Sequence, residues 1–68
     1  MQMKQVNSTS IEKIGYNRRT MNVLFHNGKN YEFKKVPRRV FDILMKSPSI
    51  GTFFNKEIRN SYPHKEVV

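Results

Sequence analysis

Alternation of apolar and polar residues in the first half of the chain predicts β-strands. In "MNVLF", residues 21–25, every second residue is apolar, and in "YEF", residues 31–33, two aromatic residues flank a glutamate. "IEKIGY", residues 11–16, is apolar and compatible with a further strand. Such alternation is typical of antiparallel strands with one buried face. We therefore predict three strands in these segments.

The loop between the second and third predicted strands decides which side chains face the core. A two-residue Asn-Gly turn would pair Val23 with Glu32 and direct a charge toward the core. A three-residue loop over residues 26–28, with Gly28 left-handed, pairs Val23 with Tyr31 instead. The buried face selects the register, and glycine tolerates the positive φ of a bulged loop. The sequence therefore favours the longer loop.

The second half of the chain shows helical spacing of its apolar residues. A first helix is predicted over residues 37–46, with Pro37 in its first turn, where the missing N–H costs nothing. Pro48 ends this helix, and Ser49 can cap a second one over residues 50–60. The apolar stripe of the second helix consists of Ile50, Phe54 and Ile58.

These elements predict an α+β domain, a three-stranded antiparallel meander with two helices packed on one face, in the order β-β-β-α-α. A single domain spans residues 1–68, and we expect the N-terminal segment and the tail "PHKEVV" to be frayed. The aromatic residues Tyr16, Tyr31 and Phe33 are expected in the core rather than on an exposed stacking platform. Phe53 lies off the apolar stripe, so it either packs against the first helix or is exposed.

The ordered set "IGYN", "MNVLFHNGKNYEF", "VP" and "SIGTFFNKEIRNSY" resembles the KTSC domain over residues 8–62. This small module occurs alone in bacteria and phages, and at the C-terminus of some lysyl-tRNA synthetases. The family's central Tyr-x-Tyr stands here as Tyr31-Glu32-Phe33, without the second hydroxyl. The family has no established activity. Its association with a synthetase implies RNA binding as an expectation.

The charge balance indicates an anionic partner. The chain has 13 Lys+Arg against 5 Asp+Glu, a formal net charge of +8. Such an excess produces a positive field that reaches about 8–10 Å at physiological salt. Nucleic acid is the commonest partner of such a field, followed by acidic proteins and membrane surfaces, and solubility alone is the remaining interpretation.

Several classes of site lack the residues they require. The chain has no cysteine and only two histidines without ligand partners, so we expect no metal and no cofactor. No apolar run approaches the ~20 residues of a membrane span, and we expect a soluble, cytoplasmic protein without membrane contact. The carboxylates are scattered, and the domain is expected to be too small for a deep pocket of ~300 Å³ or more, as substrate sites usually need. We therefore predict that the protein is not an enzyme.

The stretch "YEFKKVPRRV", residues 31–40, sets four cations around a proline at the predicted start of the first helix. Cations at this positive end of the helix dipole cost ~0.3–1 kcal/mol each, and a bound anion would offset that cost. The sequence therefore predicts an anion-binding site, although the cluster could instead be the solvated end of a small domain. The site would comprise Lys34, Lys35, Arg38 and Arg39, with Lys56 and Arg59 on the outer face of the second helix.

A second candidate anion site is the start of the second helix. Ser49 can cap it, and Gly51 in its first turn exposes backbone N–H groups that suit phosphate. The alternative, which we favour, is that Gly51 lets the helix approach the sheet closely.

The sequence as a whole favours a small basic module that binds nucleic acid, RNA rather than DNA, through phosphate contacts with little sequence specificity. The alternative is a protein-interaction module, an inhibitor or adaptor of the kind a phage encodes, that docks on an acidic host protein. An exposed apolar patch including Leu24 or Phe53 would favour the alternative.

Overall fold

The computed structural model describes residues 3–67 and contains a single antiparallel sheet. Its strands are β1 (Met3–Gln5), β2 (Ile11–Asn17), β3 (Thr20–Phe25), β4 (Asn30–Phe33) and β5 (His64–Val67). Each strand pairs with its neighbours in the chain, so the sheet is a five-stranded meander in the order β1-β2-β3-β4-β5. The predicted α+β class is confirmed, but the predicted number of three strands is wrong.

The two strands missing from the prediction are the edge strands β1 and β5, in segments that we expected to be frayed. Most of their side chains are exposed, so they show no apolar alternation. Backbone pairing holds them instead, with Met3 opposite Gly15 and Phe33 opposite His64. The Lys34 N–H also donates to the Pro63 carbonyl at 2.9 Å, immediately before β5.

A β-bulge explains the spacing of the buried residues in β2. Ile11 and Ile14 are three positions apart, yet both are fully buried. The register shifts between Ile11 and Lys13, so β2 carries one extra residue relative to β3. Such a bulge changes which residues face the core. Both isoleucines can therefore contribute to the same face of the sheet.

The β3–β4 hairpin has the predicted three-residue loop. Val23 lies opposite Tyr31, and the Phe25 N–H donates to the Lys29 carbonyl at 2.9 Å. Gly28 has a φ of 91°, in the left-handed region that glycine adopts without strain. The predicted register and the conformation of Gly28 are thus confirmed.

Two helical segments follow the sheet. They are α1 (Arg38–Lys46) and α2 (Ile50–Phe53), and α2 continues directly into a π-helical turn (Phe54–Ile58). Pro37 is the residue before α1 rather than part of its first turn. Ser49 occupies the predicted N-cap position of α2, but its side chain makes no capping bond to the backbone. Its hydroxyl pairs with that of Thr52 at 2.9 Å.

The core lies between one face of the sheet and the two helices. It consists of Ile11, Ile14, Met21, Val23, Phe33, Val36, Phe41, Leu44, Phe54 and Ile58. Val23 and Phe33 are buried as predicted, whereas Phe25 and Tyr31 are only half-buried. Phe53 is also half-buried and packs against the core, so it is not exposed. The helices therefore cover most, but not all, of this face.

Tyr16 joins β2 to the segment that enters α1. Its ring stacks on Phe41 with a centroid distance of 4.8 Å and an interplanar angle of 21°. Its hydroxyl donates to the Val36 carbonyl at 2.6 Å. Because stacking and hydrogen bonding act on one side chain, Tyr16 fixes the position of the first helix on the sheet.

We expect Phe41→Ala to lower the free energy of unfolding by ~3–5 kcal/mol, since it removes a buried ring and the surface on which Tyr16 stacks. A domain of this size has little stability beyond that amount, so the variant should be largely unfolded. Thermal unfolding followed by circular dichroism measures the loss.

Ile43→Ala is the matched control, because Ile43 lies on the same helix and is 48% exposed. It should change the free energy of unfolding by no more than about 0.5 kcal/mol. A cooperative melt of Phe41→Ala close to that of the wild type would show that the core is misassigned.

Candidate nucleic-acid interface

Two connections of the fold meet at one end of the sheet and bring six basic residues together there. The turn between β2 and β3 and the segment from β4 to α1 lie side by side there. The Val36 N–H donates to the Arg19 carbonyl at 2.8 Å and joins the two. We call this region the basic end. It consists of Arg18, Arg19, Lys34, Lys35, Arg38 and Arg39.

Three residues of the basic end have a left-handed backbone. Within residues 3–67, the non-glycine residues with positive φ are Arg18 at 49°, Arg19 at 65° and Lys35 at 63°. This conformation costs an L-residue with a Cβ roughly 1–2 kcal/mol. The two-residue turn that joins β2 to β3 would form more readily with Asn-Gly than with Arg-Arg. The left-handed backbone therefore gives no reason for basic residues at these three positions.

Two of the four cations predicted around Pro37 have acidic partners. Lys34 Nζ lies 3.5 Å from Glu32 Oε1, and Arg38 Nε donates to Asp42 Oδ1 at 3.1 Å. Solvent-exposed pairs of this kind contribute only about 0–1 kcal/mol. The Arg38 guanidinium also lies over the Tyr16 ring, 5.8 Å from its centroid. The Arg38 guanidinium therefore lies against the stacked rings of Tyr16 and Phe41.

The other cations of the basic end have no such partner. Arg18, Arg19, Lys35 and Arg39 are all exposed. In the part of the chain that the structure describes, no carboxylate lies within 4 Å of their charged groups. Their charge is therefore available to an anion from solution.

The start of α1 adds backbone donors to the basic end. Pro37 provides no side-chain cap, and the first turn of this helix contains no acidic residue. The first N–H groups of a helix lack intrahelical acceptors, and their dipoles favour a negative charge. Arg38 and Arg39 therefore bring both side-chain cations and uncapped N–H groups to the same surface.

The remaining residues predicted for anion binding lie elsewhere. Lys56 is exposed on the π-helical turn, and Arg59 follows that turn at the rim of a separate hollow. Ser49 and Gly51 line a different hollow, between the β1–β2 loop and α2, whose described lining includes no Lys or Arg. A Cβ at Gly51 would lie 3.3 Å from Ser8 Oγ, so glycine permits a close approach to that loop.

The second surface of interest is a solvent-open hollow of about 310 Å³ on the helical side of the sheet. Its walls are Phe25, Tyr31, Phe33 and Phe54, and its rim is formed by Asn27, Lys29, Arg59 and His64. We call it the aromatic hollow. The hollow reaches ~300 Å³ in volume, but it is open to solvent and is not a deep pocket of the kind that we expected this domain to lack. Phe25 and Tyr31 in its walls are only half-buried, and the ring of His64 from β5 stacks on Phe33 with a centroid distance of 4.8 Å.

The π-helical turn brings Arg59 to the aromatic hollow. The Arg59 N–H donates to the Phe54 carbonyl at 3.0 Å, five residues back along the chain. In a regular α-helix, residues five apart point about 140° away from each other. The wider π turn instead puts Arg59 about one turn beyond Phe54 on the same side. A charged group and an aromatic wall thus share one site.

Sequence reasoning missed Arg18 and Arg19, and it missed Lys29 and His64. The two arginines do carry a sequence signal, because they occupy a two-residue turn in which Asn-Gly is the preferred pair. Lys29 and His64 carry no comparable signal, because the loop before β4 and the edge strand β5 meet only in the folded sheet.

Metal-ion clusters and membrane-spanning helices are both absent from the described residues. Residues 3–67 contain no group of three or more His, Cys, Asp or Glu side chains that could hold a metal ion. None of the helices in the same range is long and apolar enough to cross a membrane.

Comparisons with known proteins identify the family. The family model described as the KTSC domain matches residues 7–62. The crystal structure of a KTSC domain protein from Yersinia pestis matches with a TM-score of 0.92 and 28% sequence identity, over 98% of this chain and 97% of that chain. Among curated proteins, no sequence matches this chain at a significant level. The family model covers most of the chain and the folds agree along nearly its whole length, so the chain belongs to the KTSC domain family.

Proposed function

We propose that this protein is a non-catalytic module that binds nucleic acid, RNA in preference to DNA, through phosphate contacts at the basic end. One observation carries the proposal. The left-handed residues Arg18, Arg19 and Lys35 meet the uncapped start of α1 at a single surface, and their charges have no acidic partner among the described residues.

The local energetics support a ligand at this surface. Left-handed arginine and lysine residues, and cations beside a helix N-terminus, each lower the stability of the folded domain. Costs of this kind are concentrated at functional sites, where binding offsets them. A sugar-phosphate backbone would supply anions both to the four unpaired side chains and to the N–H groups of the first helix.

The exposed apolar surface gives less support to an acidic protein as the partner. The exposed large hydrophobic side chains of residues 3–67 are Ile43 on α1 and Val67 on β5, two separate elements. Leu24 and Phe53, which would have favoured a protein partner if exposed, are both half-buried. Stable protein interfaces bury about 800 Å² per partner around apolar or aromatic anchors. A phosphate backbone needs no such patch.

The preference for RNA rests on the family, not on any residue. The KTSC domain also occurs at the C-terminus of some lysyl-tRNA synthetases, which suggests that it serves there as an accessory module for RNA binding. Contacts to phosphates carry no sequence information, so we expect little discrimination between base sequences. Lys56 lies on the π-helical turn and not at the basic end, so we do not include it in the proposed phosphate site.

We expect binding of single-stranded RNA to weaken steeply with salt. Each neutralised phosphate adds about −0.7 to the slope of log K against log salt on single strands, so the four unpaired cations predict a slope near −3. Substitution of Arg18, Arg19, Lys35 and Arg39 by Gln should abolish most of the slope. Fluorescence anisotropy of labelled RNA at several salt concentrations measures both quantities.

The control for this experiment replaces Lys13, Lys46, Lys56 and Lys65 by Gln. Both variants lose four positive charges, so a comparison separates the position of the charges from the net charge. The control should retain a slope near that of the wild type. Equal binding by the wild type and the basic-end variant would refute the site. If the wild type bound no RNA at low salt, an acidic protein would become the better hypothesis.

A second prediction sets stability against binding at the β2–β3 turn. Changing Arg18 to Asn and Arg19 to Gly gives the turn its preferred residues, which should raise the free energy of unfolding by roughly 1 kcal/mol. The same change should lower RNA affinity and flatten the salt slope by about 1.4, the contribution of two phosphate contacts on a single strand. Denaturant unfolding and anisotropy provide the two measurements.

The matched control changes both arginines to lysine, which retains the charge and the left-handed backbone. It should leave stability and the salt slope near their wild-type values. A stabilised Asn-Gly variant that binds RNA as tightly as the wild type would show that these arginines do not contact the ligand.

A further inference from the structure

We infer that the aromatic hollow holds the base of one unstacked nucleotide, with the phosphate of that nucleotide against Lys29 and Arg59. The inference rests on the proposed function, because it takes a single nucleic-acid strand as the ligand. It adds a second site and a preference for unpaired bases, neither of which follows from the basic end.

The walls of the hollow are fixed aromatic rings. Phe54 makes edge-to-face contacts with Phe25 and Phe33, at centroid distances of 5.7 Å and 5.3 Å. Phe33 and Phe54 are each 2% exposed, so the base of the hollow is part of the core. It cannot collapse without loss of core packing.

Two of the walls leave aromatic surface open to a ligand. Phe25 and Tyr31 are half-buried and stand nearly perpendicular to each other, at 83° with a centroid distance of 5.7 Å. Bases stack on such rings with little dependence on sequence, because every base has a π-face. The open rings therefore suit a flat aromatic ligand.

The rim is rich in hydrogen-bond donors and contains no carboxylate. Lys29 and Arg59 bring two positive charges, and the Asn27 amide nitrogen is a further donor. In the described residues, the Tyr31 hydroxyl has no hydrogen-bond partner within the protein. His64 Nδ1–H donates to the Tyr62 carbonyl at 3.3 Å. The rim thus suits an anion attached to a polar ring.

The size of the hollow distinguishes a nucleotide from a protein partner. Its volume of about 310 Å³ is at the lower limit of small-molecule sites, which run from ~300 to 1,000 Å³. An interface that buries about 800 Å² per partner would have to extend well beyond it, and the exposed large hydrophobic side chains of the described residues, Ile43 and Val67, are not in its lining. An aromatic ring with one phosphate matches the walls, the rim and the volume together.

A base inside a duplex is stacked and paired, so it cannot enter the hollow. Specific recognition of RNA commonly uses unstacked bases of single-stranded loops and ends for this reason. The protein should therefore bind single strands more tightly than duplexes, with the basic end contributing to both and the hollow only to single strands.

The test is a nuclear magnetic resonance titration with 5′-AMP and with ribose 5-phosphate, which lacks the base. We expect 5′-AMP to bind at least about 5-fold more tightly than ribose 5-phosphate, and to shift resonances of residues around the hollow. Arg59→Gln and Tyr31→Leu should each weaken 5′-AMP binding by about 5-fold or more.

Lys56→Gln is the matched control for Arg59→Gln, because it removes an exposed cation from the adjacent π-helical turn. It should leave the affinity for 5′-AMP within 2-fold of the wild type. Arg59 is exposed, so Arg59→Gln keeps the test valid even if Tyr31→Leu disturbs the fold, which a thermal melt would reveal.

Two outcomes separate failure of the hollow from failure of the proposed function. The hollow would be overturned as a base site if 5′-AMP and ribose 5-phosphate bound with equal affinity. It would also be overturned if Arg59→Gln and Tyr31→Leu bound single-stranded RNA as tightly as the wild type. In either case the basic end could still bind duplex RNA. Absence of any RNA binding by the wild type at low salt would overturn the proposed function itself.

Discussion

The edge-to-face contact between Phe33 and Phe54 is the interaction on which the rest of the structure depends. It joins the end of β4 to the second helical segment, and both rings are almost completely buried. A chain of 68 residues gains only ~3–5 kcal/mol from a core of this size, so the loss of one such contact threatens the whole domain. The same contact builds the base of the aromatic hollow. Stability and the proposed second binding site therefore depend on one pair of side chains.

Because the apolar residues are concentrated on one face of the sheet, the charged residues are confined to the ends, the edges and the outer faces. The meander then brings the β2–β3 turn beside the entry to α1, where Arg19 and Val36 are joined by a backbone hydrogen bond. Basic residues with a left-handed backbone at that junction lower the free energy of unfolding, yet they bring several cations to one surface. This combination is the basis of the proposed phosphate site.

The parts of the fold that the sequence predicted are those that depend on burial and on local turn chemistry. The register of β3 with β4 follows from the apolar positions and from Gly28, and the helices follow from apolar stripes such as Ile50, Phe54 and Ile58. The edge strands β1 and β5 were missed because backbone pairing holds them, and their exposed side chains leave no pattern.

The candidate sites were predictable only where they are continuous in the chain. Lys34 to Arg39 form one basic run, whereas Arg18 and Arg19 join that run only through the folding of the sheet. The aromatic hollow depends on the π-helical turn, which no residue pattern predicts, and on β5, which contributes His64.

The central claim, that the basic end receives phosphates, is tested most directly by a map of backbone amide shifts. The ¹⁵N-labelled protein would be titrated at low salt with a short single-stranded RNA. The account predicts the largest shifts at Arg18, Arg19 and Lys35 and in the first turn of α1. Shifts concentrated at Leu24 and Asn30 on the open face of the sheet, with none at the basic end, would contradict it.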